Sequence, residues 1–233
     1  MAWIRVTEPF SIAPKQQSHA ATRPYDPASR VDDRGYVDLA NVEIANAVLD
    51  LLDARSLDLR DCIVANAQLQ LAEATPVEVI GCHIDNGDFS AVTITALRSS
   101  NLTEMKLVGT ELSGTVIQDV TFDRCILRYV NLRTATLTRV RFRDCVIDDV
   151  DLYAATLTDV SFAECTLTDV NLDRVKANRV DLRGARSLAL KGVAGLNGFL
   201  ANESQLIGLL HTLAFAAGLD IEQPATLHHP RES

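Results

Sequence analysis

Aromatic residues are scarce in this chain, at 5% with a single Trp. That suits a narrow core filled by Leu, Val, Ala and Cys. No apolar run approaches the roughly 20 residues of a membrane span, and the first thirty residues hold no signal-peptide apolar stretch, so a cytoplasmic protein with no membrane partner is expected. His19, His83, His211, His228 and His229 are scattered, and a Gly-rich phosphate loop, a G-x-S-x-G elbow and a His-x-x-x-His pair are all missing. Catalysis needs a nucleophile with a base, paired carboxylates or metal ligands in one concave site. The chain offers no such set, so no catalytic residue, metal ligand or cofactor is assigned. His228-His229 is read as incidental.

There are five cysteines and no C-x-x-C. Cys62 and Cys82 are twenty apart, as are Cys125, Cys145 and Cys165. All five fall at a small apolar position that Ala or Val fills elsewhere. They read as buried, reduced core thiols rather than as a zinc or redox site.

What the chain does have is a period. Every fifth residue from Phe122 to Leu182 is large and apolar, with one exception: Phe122, Leu127, Leu132, Leu137, Phe142 and so on, Ala177 being the exception. Two residues before each stands a smaller apolar residue: Val120, Cys125, Val130, Ala135, Val140. Asp, Asn, Thr, Arg and Ser fill most of the rest. Five matches neither the 3.6-residue helix nor the two-residue strand. A period of twenty lies on top, carried by Phe122, Phe142 and Phe162, by Cys125, Cys145 and Cys165, and by the return of Thr136-Leu137-Thr138 as Thr156-Leu157-Thr158. Twenty is four fives, so the coil has four short sides, and like side chains stack from coil to coil in an all-β solenoid.

Val130-Asn131-Leu132, Val150-Asp151-Leu152, Val170-Asn171-Leu172 and Val180-Asp181-Leu182 resemble the pentapeptide-repeat family, whose consensus is Ala-(Asp/Asn)-Leu-x-x. The resemblance implies a right-handed quadrilateral parallel β-helix.

Taken in order, residues 1–36 do not repeat. Trp3, Ile4, Val6, Phe10 and Ile12 alternate loosely with polar residues, and Pro9, Pro14, Pro24 and Pro27 forbid a long regular element. An extended arm that covers the open first coil is expected. Repeats run over 37–186, with Leu39, Ile44, Leu49, Ala54, Leu59, Val64, Leu69, Ala74, Val79, Ile84, Phe89 and Ile94 as large inward positions. From Ile94 to Leu102 is eight residues, read as an insertion of three. Cys82 to Cys125 is 43, read as two coils plus three, with Met105 on the missing rung. This predicts a short loop near 95–101 that holds Arg98. A little over seven coils at about 4.8 Å each give a rod of about 35 Å.

Residues 187–222 are expected to form a helical cap. Asn202 or Ser204 can cap its helix and Gly218 can stop it. Leu206, Leu209, Leu210, Leu213 and Ala217 make one apolar stripe, with Ile207, Ala214 and Phe215 widening it. One face would close the last coil, and a second would serve dimerisation, for which Leu206, Leu209, Leu210 and Leu213 are the candidate residues. Residues 223–233 read as a flexible tail.

Charge is unevenly placed on a chain of net charge −9. Over 120–186, 10 acids meet 11 bases; over 37–119, 13 acids meet four bases. In the C-terminal half Asp119, Arg139, Asp159 and Arg179 should stack with alternating sign, as should Arg124 over Asp144, which is mildly stabilising. In the N-terminal half Asp38, Asp58 and Glu78 share one position of successive coils, and Asp53 and Glu73 share another. Stacked like charges cost free energy, so this surface is either solvated for solubility or waiting for a basic partner. The family resemblance implies the second. Its quinolone-resistance and toxin-immunity members are acidic, DNA-shaped rods that bind type II topoisomerases (DNA gyrase) in place of DNA. The partner implied is DNA gyrase, the assembly a homodimer through the C-terminal helix, and nucleic acid itself would be repelled. Two departures stand beside this: the interrupted register is short, and the basic run Arg139, Arg141, Arg143 lies where a dimeric DNA mimic would carry acid. A general protein-interaction scaffold is the other reading.

Overall fold

The computed structural model describes residues 5–6, 23–24, 34–192 and 196–219. Its repeats wind into a parallel β-helix in which each coil hydrogen-bonds to the next. Asn41 N donates to Arg60 O, Arg124 N to Arg143 O, and Asp144 N to Ala163 O, each at 2.9 Å. Four ladders run along the rod. One joins Tyr36–Ala40, Ser56–Arg60, Pro76–Ile80 and Thr93–Arg98 to the start of Val116–Asp123 and its successors. The second joins Val42–Ala45, Ile63–Ala65, His83–Asp85 and Asn101–Thr103 to the latter part of the same long strands. The third includes Lys106–Val108, Ile126–Arg128 and Val146–Asp148. The fourth is a row of single bridges, Thr93, Glu111, Asn131, Asp151 and Asn171. Four ladders make four sides, as the twenty-residue period predicts.

The corners explain the period of five. One residue per five takes a left-handed conformation, for example Asn66 (φ 50°), Arg124 (φ 53°), Asp144 (φ 51°) and Glu164 (φ 57°). That conformation costs an L-residue about 1 kcal/mol, yet Ala154 holds it (φ 55°) with no polar side chain to help. The inter-coil bond from Ala154 N to Asp173 O, 2.9 Å, holds the corner in its place.

Inside, the residues of one position form continuous columns. One runs Leu39, Leu59, Val79, Leu97, Ile117, Leu137, Leu157 and Ala177, eight rungs. Another runs Leu102, Phe122, Phe142, Phe162. Its Phe rings stack at centroid distances of 4.8 and 4.9 Å, within 7° of parallel. Isolated aromatic pairs favour offset or edge-on contact; here the coil spacing dictates the stack.

The interrupted register is a shortening, not an insertion. His83 pairs with Asn101, eighteen residues on, and Asp88 bridges Lys106. Leu97 is fully buried as the large residue of a five cut to three, and the strand bulges between Ile94 and Ala96. So 95–101 is not a loop. Arg98 ends the strand Thr93–Arg98, between Ile80 and Gln118.

The cysteines consequently form two columns rather than one. Cys62 and Cys82 lead to Ser100 and Val120, whereas Cys125, Cys145 and Cys165 lie on the next side beyond Met105. All five are buried free thiols. Cys145 is pushed up to about 12, first by its contact with Cys125 and then by burial, with Cys165 opposing.

Buried hydroxyls gather around the short coil, and each is satisfied: Thr75 donates to Ala72 O, Ser100 to Arg98 O, Thr110 to Phe89 O and Thr115 to Ile94 O. Ala74, expected inward, is exposed at a corner (φ 58°), and Thr75 is buried beside it; Ala54 is only half-buried, and Leu51, three residues before it in the same coil, is buried.

Of the N-terminal arm, Arg5–Val6 lies antiparallel to Leu49–Asp50, and Arg23–Pro24 lies parallel to Val42–Glu43, both on the first coil. Trp3, Ile4, Phe10 and Ile12, and the tail with His228-His229, lie outside the described residues. At the other end the ladders continue past 186, through Ser187–Lys191 and Phe199–Leu200. Gly198 makes the last rung possible, because a Cβ there would sit 2.1 Å from Ala177 O. Helix α1 (Glu203–Gly208) begins at Asn202 with a reciprocal capping box to Gln205. Helix α2 (Leu210–Ala216) follows Leu209 and ends at Gly218 (φ 74°).

The Phe column gives a direct test. Phe142→Leu, matching Leu102 and Leu182, should cost about 1–2 kcal/mol, and Phe142→Ala about 3–5 kcal/mol. Chemical denaturation followed by circular dichroism reads both.

Candidate partner-binding surfaces

The sides of the coil are flat sheets whose outward residues repeat along the rod, so the candidate sites are surfaces. Asp38, Asp58 and Glu78 are in register on three successive coils, and the next two rungs are Ala96 and Val116. Arg60, two residues beyond Asp58 on the same face, meets Asp58 at 3.1 Å and Glu78 at 3.6 Å. Burial and then Glu78 push the Asp58 carboxyl up, against Arg60. Arg60 thus relieves part of the repulsion that the sequence implies for this column. The alternation of outward residues along a strand could have shown it, since i and i+2 share a face. Asp53 and Glu73 are exposed at the corner preceding this strand, off the ladder. Among the described residues, Asp38, Glu43, Asp53, Asp61, Glu73 and Asp85 make no ion pair; the pairs within these first coils are those of Arg60 and of Lys106 with Asp88.

The C-terminal coils are neutralised rung by rung. Arg139 pairs with Asp119 and Arg179 with Asp159, in the alternating column that the sequence predicts. Arg128 meets Asp148 at 3.5 Å, Arg133 meets Asp151 at 2.8 Å and Lys191 meets Asp169 at 3.0 Å. The expected pairing of Arg124 with Asp144 does not form. Arg124 takes Glu104 and Asp123, while Arg186 spans Asp144 and Glu164. Both arginines reach the carboxylates better placed around them. Arg133 also lies over the Tyr153 ring, 4.3 Å from its centroid. The basic run is thereby divided: Arg139 is tied to Asp119, and Arg141 and Arg143 are exposed without an ion pair among the described residues.

At the C-terminal end the apolar stripe divides in two. Leu209 is 1% exposed and Leu213 packs on the core, so neither is available for a second subunit. Leu206 (46% exposed), Leu210 (54%) and Ile207 (66%) face outward. Among the described residues no group of His, Cys, Asp and Glu is arranged to hold a metal ion.

The family model for the pentapeptide repeat region matches residues 95–172. Over these residues the chain matches the pentapeptide repeat, and the fold is the four-sided parallel β-helix described above. The match begins at the bulge where the register resets; the coils before it follow the twenty-residue period with less regular corners. Similar solved structures include QnrB1, described as a plasmid-mediated fluoroquinolone resistance protein (13% identity, 83% of this chain and 96% of that one, TM-score 0.33). Two others come from cyanobacteria. HetL of Nostoc, described as involved in heterocyst differentiation regulation, is 18% identical over 71% of this chain and 87% of its own, TM-score 0.26. Rfr23 of Cyanothece is 18% identical over 60% and 86%, TM-score 0.29. At these values the fold rests on this chain's own ladders. No curated protein matches the sequence.

The ion-pair ladder has a titration signature. Arg139, with Gln118 behind it, holds the Asp119 carboxyl down at about 2. A depressed folded pKa contributes stability above the unfolded value, near 3.9, and loses it as pH falls through about 2. Carboxyl NMR should therefore show Asp119 titrating near 2, and Arg139→Gln should return it towards the ordinary carboxylate range.

Proposed function

We propose that this protein is a non-enzymatic, cytoplasmic rod whose acidic N-terminal coils bind a basic, DNA-binding protein surface in place of DNA. The partner we propose is a type II topoisomerase such as DNA gyrase, with protection against a fluoroquinolone or a toxin as the outcome. The observation that carries the reading is the unequal treatment of charge. Among the described residues the C-terminal coils pair most carboxylates with an arginine or lysine, whereas the N-terminal coils hold Asp38, Asp53 and Glu73 without an ion pair and balance Asp58 and Glu78 with one Arg60. Unneutralised acid on a rigid rod attracts a basic groove and repels nucleic acid. Among the described residues no helix is long and apolar enough to cross a membrane.

The scaffold reading is favoured by one feature: the acidic column stops at Ala96 and covers only three coils. Gyrase supercoiling separates the two. Increasing protein should inhibit supercoiling or protect against a fluoroquinolone, more weakly at higher salt. The Asp38→Lys, Asp58→Lys, Glu78→Lys variant should lose the effect while keeping its thermal transition. No effect well above the enzyme's concentration would remove gyrase as the partner.

The exposed Leu206, Ile207 and Leu210, with Leu200 beside the helix, support self-association through this end, and an apolar patch of this kind suits a two-fold interface. Sedimentation of wild type should give a dimer and Ile207→Asp a monomer of unchanged circular dichroism.

A further inference from the structure

Arg141 and Arg143 stand apart from the charge pairing around them. Both project outward from the strand Thr136–Arg143, on either side of buried Phe142. Neither makes an ion pair among the described residues, although acids lie on neighbouring coils. Asp123, the rung before Arg143, is held by Arg124 at 2.8 Å. Asp144 and Glu164 are held by Arg186. Asp181, beyond Ser161, is held by Arg183 at 2.8 Å. Each of these four carboxylates already has an arginine partner. On the following coil the partners of Arg141 and Arg143 are Ser161 and Ala163, so two short side chains leave a shallow step beside two free guanidinium groups.

We propose that Arg141 and Arg143 bind an extended acidic segment of a protein partner, of the form acid-x-acid, laid over Ser161 and Ala163. Two residues apart on a strand are about 6.8 Å apart, and the alternate side chains of an extended peptide repeat at the same interval. Each guanidinium then takes one carboxylate in its two-pronged fork, and the short side chains of the next coil admit the peptide backbone. Charge complementarity selects the occupant. A local basic pair on a chain of net charge −9 attracts a short acidic segment within a screening length of about 10 Å. A long polyanion such as duplex DNA meets the acidic coils as well. The inference does not depend on what binds those acidic coils, and it gives the rod a second surface of opposite sign.

The probe is a synthetic peptide, acetyl-Ser-Glu-Thr-Glu-Ser-amide with a terminal fluorophore, titrated with the full chain at low ionic strength. A second peptide of the same composition places its two Glu side by side. Binding should favour the alternating peptide, and an Arg141→Gln, Arg143→Gln variant should bind it about tenfold more weakly. Arg179→Gln, which removes an exposed arginine already paired with Asp159, should leave binding unchanged, and the thermal transitions of all three proteins should coincide. Equal binding to wild type and the double variant overturns the proposal, as does equal binding of the two peptides. Tighter binding of a short DNA duplex than of either peptide, lost in the double variant, overturns it too by assigning the pair to phosphate.

Discussion

The hydrogen-bonded spacing between successive coils governs this molecule. Backbone bonds of about 2.9 Å, such as Asn41 N to Arg60 O, hold each coil in register with the next, and every side chain inherits that interval. Phe122, Phe142 and Phe162 stack face to face because their coils do. Corner residues accept left-handed backbone because inter-coil bonds fix them. Outward charges become neighbours whether or not they attract, so sign along a column decides whether a surface is settled or strained.

That constraint explains the two kinds of surface. In the C-terminal coils opposite charges alternate in register, and each pair contributes little alone at a solvated position, but together they neutralise most of these coils outside Arg141 and Arg143. In the N-terminal coils the same geometry lines up Asp38, Asp58 and Glu78, and a single Arg60 answers two of them. The difference in charge lies in outward residues, since the columns beneath are built of apolar residues in both halves, with Thr75, Ser100, Thr110 and Thr115 as the buried hydroxyls of the first.

Much of the fold was legible because the period of five is enforced at every corner and the period of twenty at every column. Phe122 to Phe162, the alternating column from Asp119 to Arg179 and the cap at Asn202 could all be read from residue spacing. The short coil could not. Eight residues between Ile94 and Leu102 read as a five with three added, and only the burial of Leu97 and the pairing of His83 with Asn101 reveal a five cut to three. The misplaced phase then merged two cysteine columns into one. The ion pairs of Arg60 and Arg186 were missed for another reason: long side chains choose among several carboxylates, and a residue position alone does not say which. The apolar stripe of the C-terminal helices likewise gave no sign that Leu209 turns inward while Leu206 and Leu210 turn out.

The equivalence of the four sides separates the interior from the exterior in a way that bears on how such a chain can change. Adding or losing a whole coil of twenty preserves every column and lengthens or shortens the rod. Adding or losing a single five leaves the core just as well filled, yet turns everything downstream by a quarter of a revolution. Surfaces such as the acidic column and the Arg141–Arg143 pair can thus be brought onto the same side, or moved apart, by one small genetic event that the hydrophobic interior would scarcely register.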